Sequence, residues 1–105
     1  MPEFLFTYGI LRDPKIQKIV FGRITKGQRD SLEGYRESEI EIQGEVYPAL
    51  IPSNGVFVGG LVIEITPTEL VKIDEYETAA YIRTQVNLKS GRKAWVYKKN
   101  EMVTG

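Results

Sequence analysis

The chain has 105 residues, in which 14 Lys and Arg balance 14 Asp and Glu, and it contains neither cysteine nor histidine. This length predicts a single domain over residues 1–105 with one hydrophobic core. The charge is balanced and no basic cluster is present, so we expect no nucleic-acid partner. The longest apolar runs are about half of what a membrane span needs, so we expect no membrane partner either.

The missing cysteine and histidine exclude whole classes of site. Without cysteine the chain cannot form disulfides, and we expect a cytosolic protein. Histidine-based catalytic triads, thiolate zinc sites and histidine-based metal centres are excluded as well. Any catalysis must therefore use carboxylates, tyrosines, lysines, hydroxyls or the backbone, and we expect no metal and no cofactor.

The first predicted elements are a buried strand and a short helix. The stretch EFLFTY, residues 3–8, is rich in aromatic and aliphatic residues and predicts a strand that stops at Gly9. Asp13 as N-cap, Pro14 at the first helical position and a terminating Gly22 predict the helix. Its apolar residues at helical spacing, which make it amphipathic, are Ile16, Ile19 and Val20.

The middle of the chain predicts extended structure. Residues 24–42 partly alternate polar and apolar side chains, which indicates one strand or two. VYPALIP, residues 46–52, carries two prolines that lack a ladder donor, so it belongs at a sheet edge or in a loop. SNG, residues 53–55, predicts a turn. VFVGGLVIEI, residues 56–65, predicts a buried strand whose Gly59-Gly60 pair indicates a bulge or a close approach to the backbone.

The last third predicts a helix and a hairpin. TPTELVKIDEYE, residues 66–77, opens with an N-cap Thr, a Pro and a Glu that completes a capping box. YIRTQVNL, residues 81–88, and RKAWVYKK, residues 92–99, predict two strands joined around Ser90-Gly91. The polar tail, residues 98–105, is the one segment that we expect to be loose. Strands predominate with two short helices between them, which favours an α+β fold with a curved or barrel-like sheet.

Three acids, Asp74, Glu75 and Glu77, cluster at the C-terminal end of the second helix, where the helix dipole disfavours negative charge. Helical spacing places Glu77 on the same face as Leu70 and Ile73, which should point inward. One interpretation is that Glu77 is partly buried, which would raise its pKa and suit a general acid/base. The other is that the helix frays before Glu77 and all three acids are solvated. Glu75 faces solvent in both.

The stretch FTYGILR, residues 6–12, is the second candidate for a site. A strand that ends in Tyr8-Gly9 and turns directly toward a helix exposes consecutive backbone N–H groups. Such groups can bind a carboxylate or a developing oxyanion. The alternative interpretation is a plain strand-to-helix turn without a ligand.

The sequence resembles a known superfamily. LFTYGILR is similar to the N-terminal Tyr-Gly-Ser/Thr-Leu signature of the γ-glutamylcyclotransferase-like superfamily, in particular its small branch with the γ-glutamylamine cyclotransferases. The likeness continues through GEVYPALIP, VGGLVIEI, KIDEYE and AWVYKK, with Glu77, Tyr81 and Arg83 in an E-x-x-x-Y-x-R spacing. The sequence departs from the pattern at Ile10, where the family usually has Ser or Thr, and at Thr78, which replaces a Gly.

The resemblance implies a small mixed β-barrel flanked by two short helices, with a cavity between the Tyr-Gly loop and the second helix. It implies that Glu77 is the catalytic acid/base, and that Arg83 either binds substrate or forms a structural ion pair with the nearby acids. The residues that it implies for binding the γ-glutamyl head group are the loop Tyr8, Gly9, Ile10 and Leu11, with Tyr47 and Tyr97 as pocket walls.

The activity implied by the resemblance is cyclisation of a small γ-glutamyl compound, which gives 5-oxoproline and releases an amine or amino acid. The nucleophile belongs to the substrate, which agrees with a chain that has no cysteine. The alternative is a non-catalytic module that binds a small carboxylate ligand on the same fold, since Ile10 removes a hydroxyl from the loop. A structural role would apply if side chains filled the cavity.

Overall fold

The computed structural model describes residues 2–78 and 80–99, apart from the side chains of Ile10, Ile42 and Lys99. Its strands are β1 (Glu3–Thr7), β2 (Gln28–Ile42), β3 (Glu45–Ile65), β4 (Tyr81–Asn87) and β5 (Lys93–Lys99). Its helices are α1 (Pro14–Phe21) and α2 (Pro67–Glu77), and a short 3₁₀ turn covers Ile10–Arg12. Neither helix in these ranges is long and apolar enough to cross a membrane.

The five strands form one mixed sheet in the order β2-β3-β1-β5-β4. β1 and β5 are parallel, and the other neighbouring pairs are antiparallel. The sheet curls so that the turn between β4 and β5 contacts β2. There the Lys89 backbone N–H donates to the Ser31 carbonyl over 2.8 Å. Ser90 also donates to the Asp30 carboxylate. The result is a half-barrel with two helices, which confirms the predicted α+β class.

Strand β3 is longer than the sequence indicates, and the turn predicted at residues 53–55 is wrong. The pairing of β2 with β3 passes from Glu33 opposite Phe57 to Tyr35 opposite Pro52. Ser53–Val56 therefore lie opposite Gly34 alone, so four residues of β3 oppose one of β2 in a large bulge, and the chain continues in the same strand. The edge position expected for residues 46–52 is confirmed, because β2 is their only paired neighbour among the described strands.

The core lies on both faces of the sheet, because successive side chains of β1 point to opposite sides. Phe6 packs inside the curl with Leu32 and Val96, whereas Leu5 packs against the helices with Ile73. A close approach is confirmed at Gly60, where an added Cβ would lie 2.5 Å from the Thr7 carbonyl oxygen and 2.8 Å from Phe6 Cζ.

Helix α1 has the predicted caps, since Asp13 accepts from the Lys15 N–H and Gly22 adopts a left-handed conformation. The expectation for Ile19 is wrong, because this side chain is 78% exposed. The buried side of the helix is centred instead on Gln17 and Phe21, four residues apart. Ile16 and Val20 pack beside them, as predicted.

The hairpin of β4 and β5 is confirmed, with the Gly91 N–H donating to the Leu88 carbonyl in the turn. β5 continues to Lys99, which pairs with Tyr81. The loose tail expected from residue 98 is therefore wrong for Lys98 and Lys99, because both are held in the ladder. Residues 100–105 of that expected tail lie outside the described residues.

Candidate active site

A cavity of about 440 Å³ opens between the end of β1, the edge of β3 and the C-terminal end of α2. It brings together most of the residues that the sequence indicated, namely Tyr8, Gly9, Leu11, Tyr47, Glu77 and Tyr97. The Ile10 side chain lies outside the described part of the structure. Arg83 is not among the described residues that line the cavity, and its guanidinium pairs with Asp74.

The Tyr-Gly loop is held from both sides. After Gly9 the chain makes the 3₁₀ turn, in which the Arg12 N–H donates to the Gly9 carbonyl over 3.1 Å. An added Cβ on Gly9 would lie 3.2 Å from Pro48 Cγ, so the loop rests directly on the edge of β3. The buried Gln17 side chain donates to the Leu11 carbonyl over 2.8 Å. These contacts fix the backbone of the loop against the cavity.

The glutamine that holds the loop was not found from the sequence. Gln17 is only 2% exposed, and its amide oxygen accepts from both the backbone N–H and the hydroxyl of Thr25, each over 2.9 Å. With its donation to Leu11, this buried amide has partners on both its ends, as buried polar groups require. A glutamine between Ile16 and Lys18 gives no sequence signal for this role, because glutamine is usually exposed.

Helix α2 runs through Glu77, so the interpretation in which the helix frays before this residue is wrong. Leu70 and Ile73 are buried on the same face, and Glu77 continues that face to the cavity wall. Burial of the carboxyl raises its pKa from its ordinary value of 4.5 to about 7. The group is thus poised to accept or donate a proton near neutral pH.

In the described part of the cavity, no cation offsets the burial of the Glu77 carboxyl. Glu77 is the only Asp, Glu, Lys or Arg among the described lining residues. Within the described chain, no side chain or backbone group donates a hydrogen bond to its carboxylate, and burial is the cause of its raised pKa. The charged form of Glu77 therefore has no partner among the described residues, and a cationic ligand could supply one.

The other two acids at the helix end differ from Glu77. Glu75 is exposed to solvent, as predicted. Asp74 is half-buried, and its carboxylate accepts a hydrogen bond from the Arg83 Nη2 over 3.1 Å and lies 2.9 Å from the Arg83 Nε in an ion pair. Asp74 also accepts from the Tyr97 hydroxyl. The three acids thus have three environments, and only Glu77 faces the cavity.

Tyrosines form much of the cavity wall. Five of the six tyrosines of the chain line it, and two of these, Tyr76 and Tyr81, were not predicted as site residues. For Tyr81 the available signal was its place in the E-x-x-x-Y-x-R spacing. Tyr76 directly precedes Glu77 on the helix, and nothing in the sequence singled it out.

The hydroxyls of most of these tyrosines already donate to protein acceptors. Tyr8 donates to the Tyr97 carbonyl over 2.7 Å, and Tyr81 donates to the Pro48 carbonyl over 2.8 Å. Burial raises the pKa of Tyr81 to about 12, and burial also raises the pKa values of Tyr8 and Tyr97 well above 10. None of these three can serve as a base near neutral pH, whereas Glu77 has a pKa in that range.

The residue after Glu77 has an unusual backbone. Thr78 ends the helix with φ 63° and ψ −173°, a region that is almost restricted to glycine. This conformation gives a physical reason for the glycine that the family often has here. It also turns the chain within three residues from α2 into β4, whose Tyr81 and Arg83 return to the same region.

A sequence model of the family described as gamma-glutamyl cyclotransferase, AIG2-like, matches residues 5–104. The chain belongs to this family. It is 32% identical over 85 residues to AIG2-like protein C of Arabidopsis thaliana, across 80% of this chain and 48% of that protein. The chain spans about half the length of the AIG2-like relatives it matches, 48% of protein C and 55% of protein D.

Solved structures show the same fold. A protein of Arabidopsis thaliana with a known solution structure has a TM-score of 0.82 and 22% identity, over 98% of this chain and 72% of that protein. A solved gamma-glutamyl cyclotransferase has a TM-score of 0.78 and 15% identity, over 95% of this chain and 68% of that one. At these identities the likeness establishes the half-barrel fold and leaves the activity to be argued from the site.

Proposed function

We propose that the protein is a γ-glutamyl cyclotransferase-type enzyme that converts a small γ-glutamyl compound into 5-oxoproline and a free amine or amino acid. The observation that carries this proposal is the Glu77 carboxyl, which faces an open cavity beside Tyr8 and Gly9 with a pKa of about 7. Membership of the gamma-glutamyl cyclotransferase, AIG2-like family supports the same reaction class.

The reaction needs a group that relays protons from one nitrogen of the substrate to another. The α-nitrogen of the substrate attacks its own γ-carbonyl carbon, so a nitrogen–carbon bond forms and a five-membered ring closes. The bond from the γ-carbon to the leaving nitrogen then breaks. The α-ammonium nitrogen loses two protons in becoming the ring amide, and the leaving nitrogen gains two in departing as an ammonium group. Glu77 takes each proton from the first nitrogen and gives it to the second, so it ends in its starting state and no water or other reactant is consumed.

The charge of the cavity suits the substrate's α-ammonium group. A cation beside a buried, unpaired carboxylate favours the charged form of that carboxylate. Binding of the α-ammonium would therefore ionise Glu77 and place the base next to the proton that it must remove. This agrees with the absence of a Lys or Arg among the described lining residues.

We assign the loop from Tyr8 to Leu11, including the Ile10 backbone, to the head group and the developing oxyanion. Backbone N–H groups can bind a carboxylate or an oxyanion without any side-chain charge. The contacts of Gly9 with Pro48 and of Leu11 with Gln17 hold this backbone in place, which supports the assignment. We assign Tyr47 and Tyr97 to the walls that surround the substrate.

The test is formation of 5-oxoproline by single-turnover mass spectrometry over a panel of γ-glutamyl amines and γ-glutamyl amino acids. Glu77→Gln keeps the shape of the side chain but cannot accept a proton, so we expect turnover to fall at least about 100-fold. Binding should weaken less than turnover, because the glutamine amide oxygen can still accept a hydrogen bond from the α-ammonium group. Glu75→Gln is the matched control, because Glu75 is on the same helix turn but exposed. It should react at the wild-type rate.

Two results would contradict the proposal. If Glu77→Gln reacts as fast as Glu75→Gln, the acid/base assignment is wrong. If members of the panel bind the wild-type protein but none is converted, the protein is a carboxylate-binding module on the same fold.

A further inference from the structure

We propose that Asp74, Arg83 and Tyr97 form an anchor that fixes the position of the Glu77 carboxyl at the cavity wall, so that they are positioning residues. Asp74 lies three residues before Glu77, in the same last turn of α2. This inference rests on the proposed function for its kinetic consequence, but its structural part can be measured without turnover.

Asp74 ties the last turn of α2 to two strands at once. Its carboxylate accepts a hydrogen bond from the Arg83 Nη2 of β4 at Oδ2 over 3.1 Å and forms an ion pair with the Arg83 Nε, which lies 2.9 Å from Oδ1. The same carboxylate accepts a hydrogen bond from the Tyr97 hydroxyl of β5. A charge-assisted hydrogen bond beside a second close nitrogen–oxygen contact restricts the direction of the guanidinium as well as its distance. The turn that carries Glu77 is thus held on the hairpin.

The arginine of the anchor is itself held in place. Its guanidinium carbon lies 4.4 Å from the centre of the Trp95 ring, a cation–π contact with β5. The Trp95 indole N–H donates to the Glu3 carboxylate of β1 over 2.9 Å. The contacts therefore continue from the helix end through β4 and β5 to β1, and Arg83 has little freedom to follow a moving helix.

An anchor is needed because the last turn of α2 is otherwise poorly stabilised. The turn contains no basic residue that would offset the helix dipole, and it ends at Thr78, whose backbone conformation is strained. Helix ends with these features fray readily. A buried carboxyl that ionises also gains by moving toward water. Without the anchor, both effects would carry Glu77 away from the cavity wall.

The direct test follows the Glu77 side-chain carboxyl by ¹³C NMR during a pH titration. Tyr97→Phe removes only the hydroxyl bonded to Asp74 and keeps the ring. Loss of the anchor hydrates Glu77, so its pKa should fall from about 7 toward 4.5. The kcat for 5-oxoproline formation should fall about tenfold to 100-fold, with a smaller change in KM, because a displaced acid/base loses alignment.

Arg83→Gln separates the anchor from simple electrostatics. Removing a positive charge near a carboxyl raises that carboxyl's pKa, whereas loosening the helix end lowers it. The anchor therefore predicts a fall in the Glu77 pKa in Arg83→Gln, opposite to the electrostatic effect. Arg83→Lys keeps the charge but not the two contacts that the guanidinium makes with Asp74, and should restore the Glu77 pKa only in part.

Arg23→Gln is the matched control. Arg23 pairs through two nitrogens with Glu69 at the other end of α2, so its loss weakens the same helix far from Glu77. This variant should leave the Glu77 pKa and kcat at their wild-type values. The inference is overturned if the Glu77 pKa stays near 7 in Tyr97→Phe and Arg83→Gln, or if it falls equally in Arg23→Gln.

Failure of the proposed function gives a different pattern. If the wild-type protein converts no γ-glutamyl compound, kcat cannot be measured for any variant. The NMR titration would still show whether the anchor fixes Glu77.

Discussion

Glu77→Gln should increase the unfolding free energy of the protein, but only at pH values above about 4.5, the ordinary pKa of a glutamate. The folded chain holds the Glu77 carboxyl at a pKa of about 7, against an ordinary value of 4.5. Between these two values the folded state binds more protons than the unfolded state, so unfolding free energy falls as pH rises through this window. Below it the carboxyl is protonated in both states and contributes nothing.

The size of the effect follows from the two pKa values. Each tenfold change in proton affinity corresponds to about 1.4 kcal/mol, so the full cost above pH 7 is about 3 kcal/mol. Water partly screens a carboxyl that is half-buried, so we expect about 2 kcal/mol. Glutamine carries no charge and escapes this cost. Relative to wild type, Glu77→Gln should thus gain about 2 kcal/mol between pH 4 and pH 8.

The assay is urea unfolding of wild type, Glu77→Gln and Glu75→Gln across this pH range. The difference between two variants cancels the titration of all groups that they share. Glu75 is exposed, so Glu75→Gln should differ from wild type by a small amount that changes little with pH. A Glu77→Gln curve parallel to that of wild type would refute the reasoning, because it would show that Glu77 titrates as a solvated acid.

Four substitutions to or from glycine test the backbone arguments. Thr78→Gly should raise the unfolding free energy by about 1 kcal/mol in urea unfolding, because it relieves a strained positive φ. An unchanged unfolding free energy would show that Thr78 is not strained. Gly60→Ala should lower the unfolding free energy by about 2 kcal/mol or more in the same assay, because its Cβ would meet the Thr7 carbonyl. Gly59→Ala is the control and should lower it far less, because there is open space around Gly59. Gly9→Val should weaken substrate binding about tenfold by titration calorimetry, because its side chain would press on Pro48 at the cavity; equal affinity would place the site elsewhere.

Local signals in the sequence were sufficient for the helix boundaries. Asp13 and Pro14 begin α1, and Thr66 begins α2 with the capping box that its spacing to Glu69 predicts. Caps of this kind act within four residues, so they can be found without knowledge of the tertiary structure. The orientation of α1 on the sheet is a tertiary property. That is why Ile19, at a suitable spacing, proved exposed while Gln17 proved buried.

The long strand β3 shows a second limit. Ser-Asn-Gly is a typical turn sequence, but here β2 offers continuous pairing partners on both sides of it. The ladder therefore absorbs the four residues Ser53–Val56 as a bulge opposite Gly34, and the chain does not reverse. Pairing with a distant strand overrides the local preference, and that strand's register was not available from the sequence.

For the site, the family pattern and the helical spacing together indicated most of the cavity wall. Glu77 could be placed on the wall side of α2 because Leu70 and Ile73 fix which side faces inward. Whether it lies in water or in a cavity depends on how far β3 and β4 extend past the helix end. That distance is set by the fold as a whole, so the two interpretations of Glu77 could not be separated from the sequence.

The E-x-x-x-Y-x-R spacing has a physical reason in this fold. Tyr81 and Arg83 are two residues apart on β4, so their side chains lie on the same face of the sheet, while Ile82 between them is exposed. Tyr81 reaches across the cavity to the Pro48 carbonyl, and Arg83 reaches back to Asp74 on the helix. The same face of β4 thus contacts the edge of β3 through Tyr81 and the last turn of α2 through Arg83, which ties the position of the motif's Glu to its Tyr and Arg.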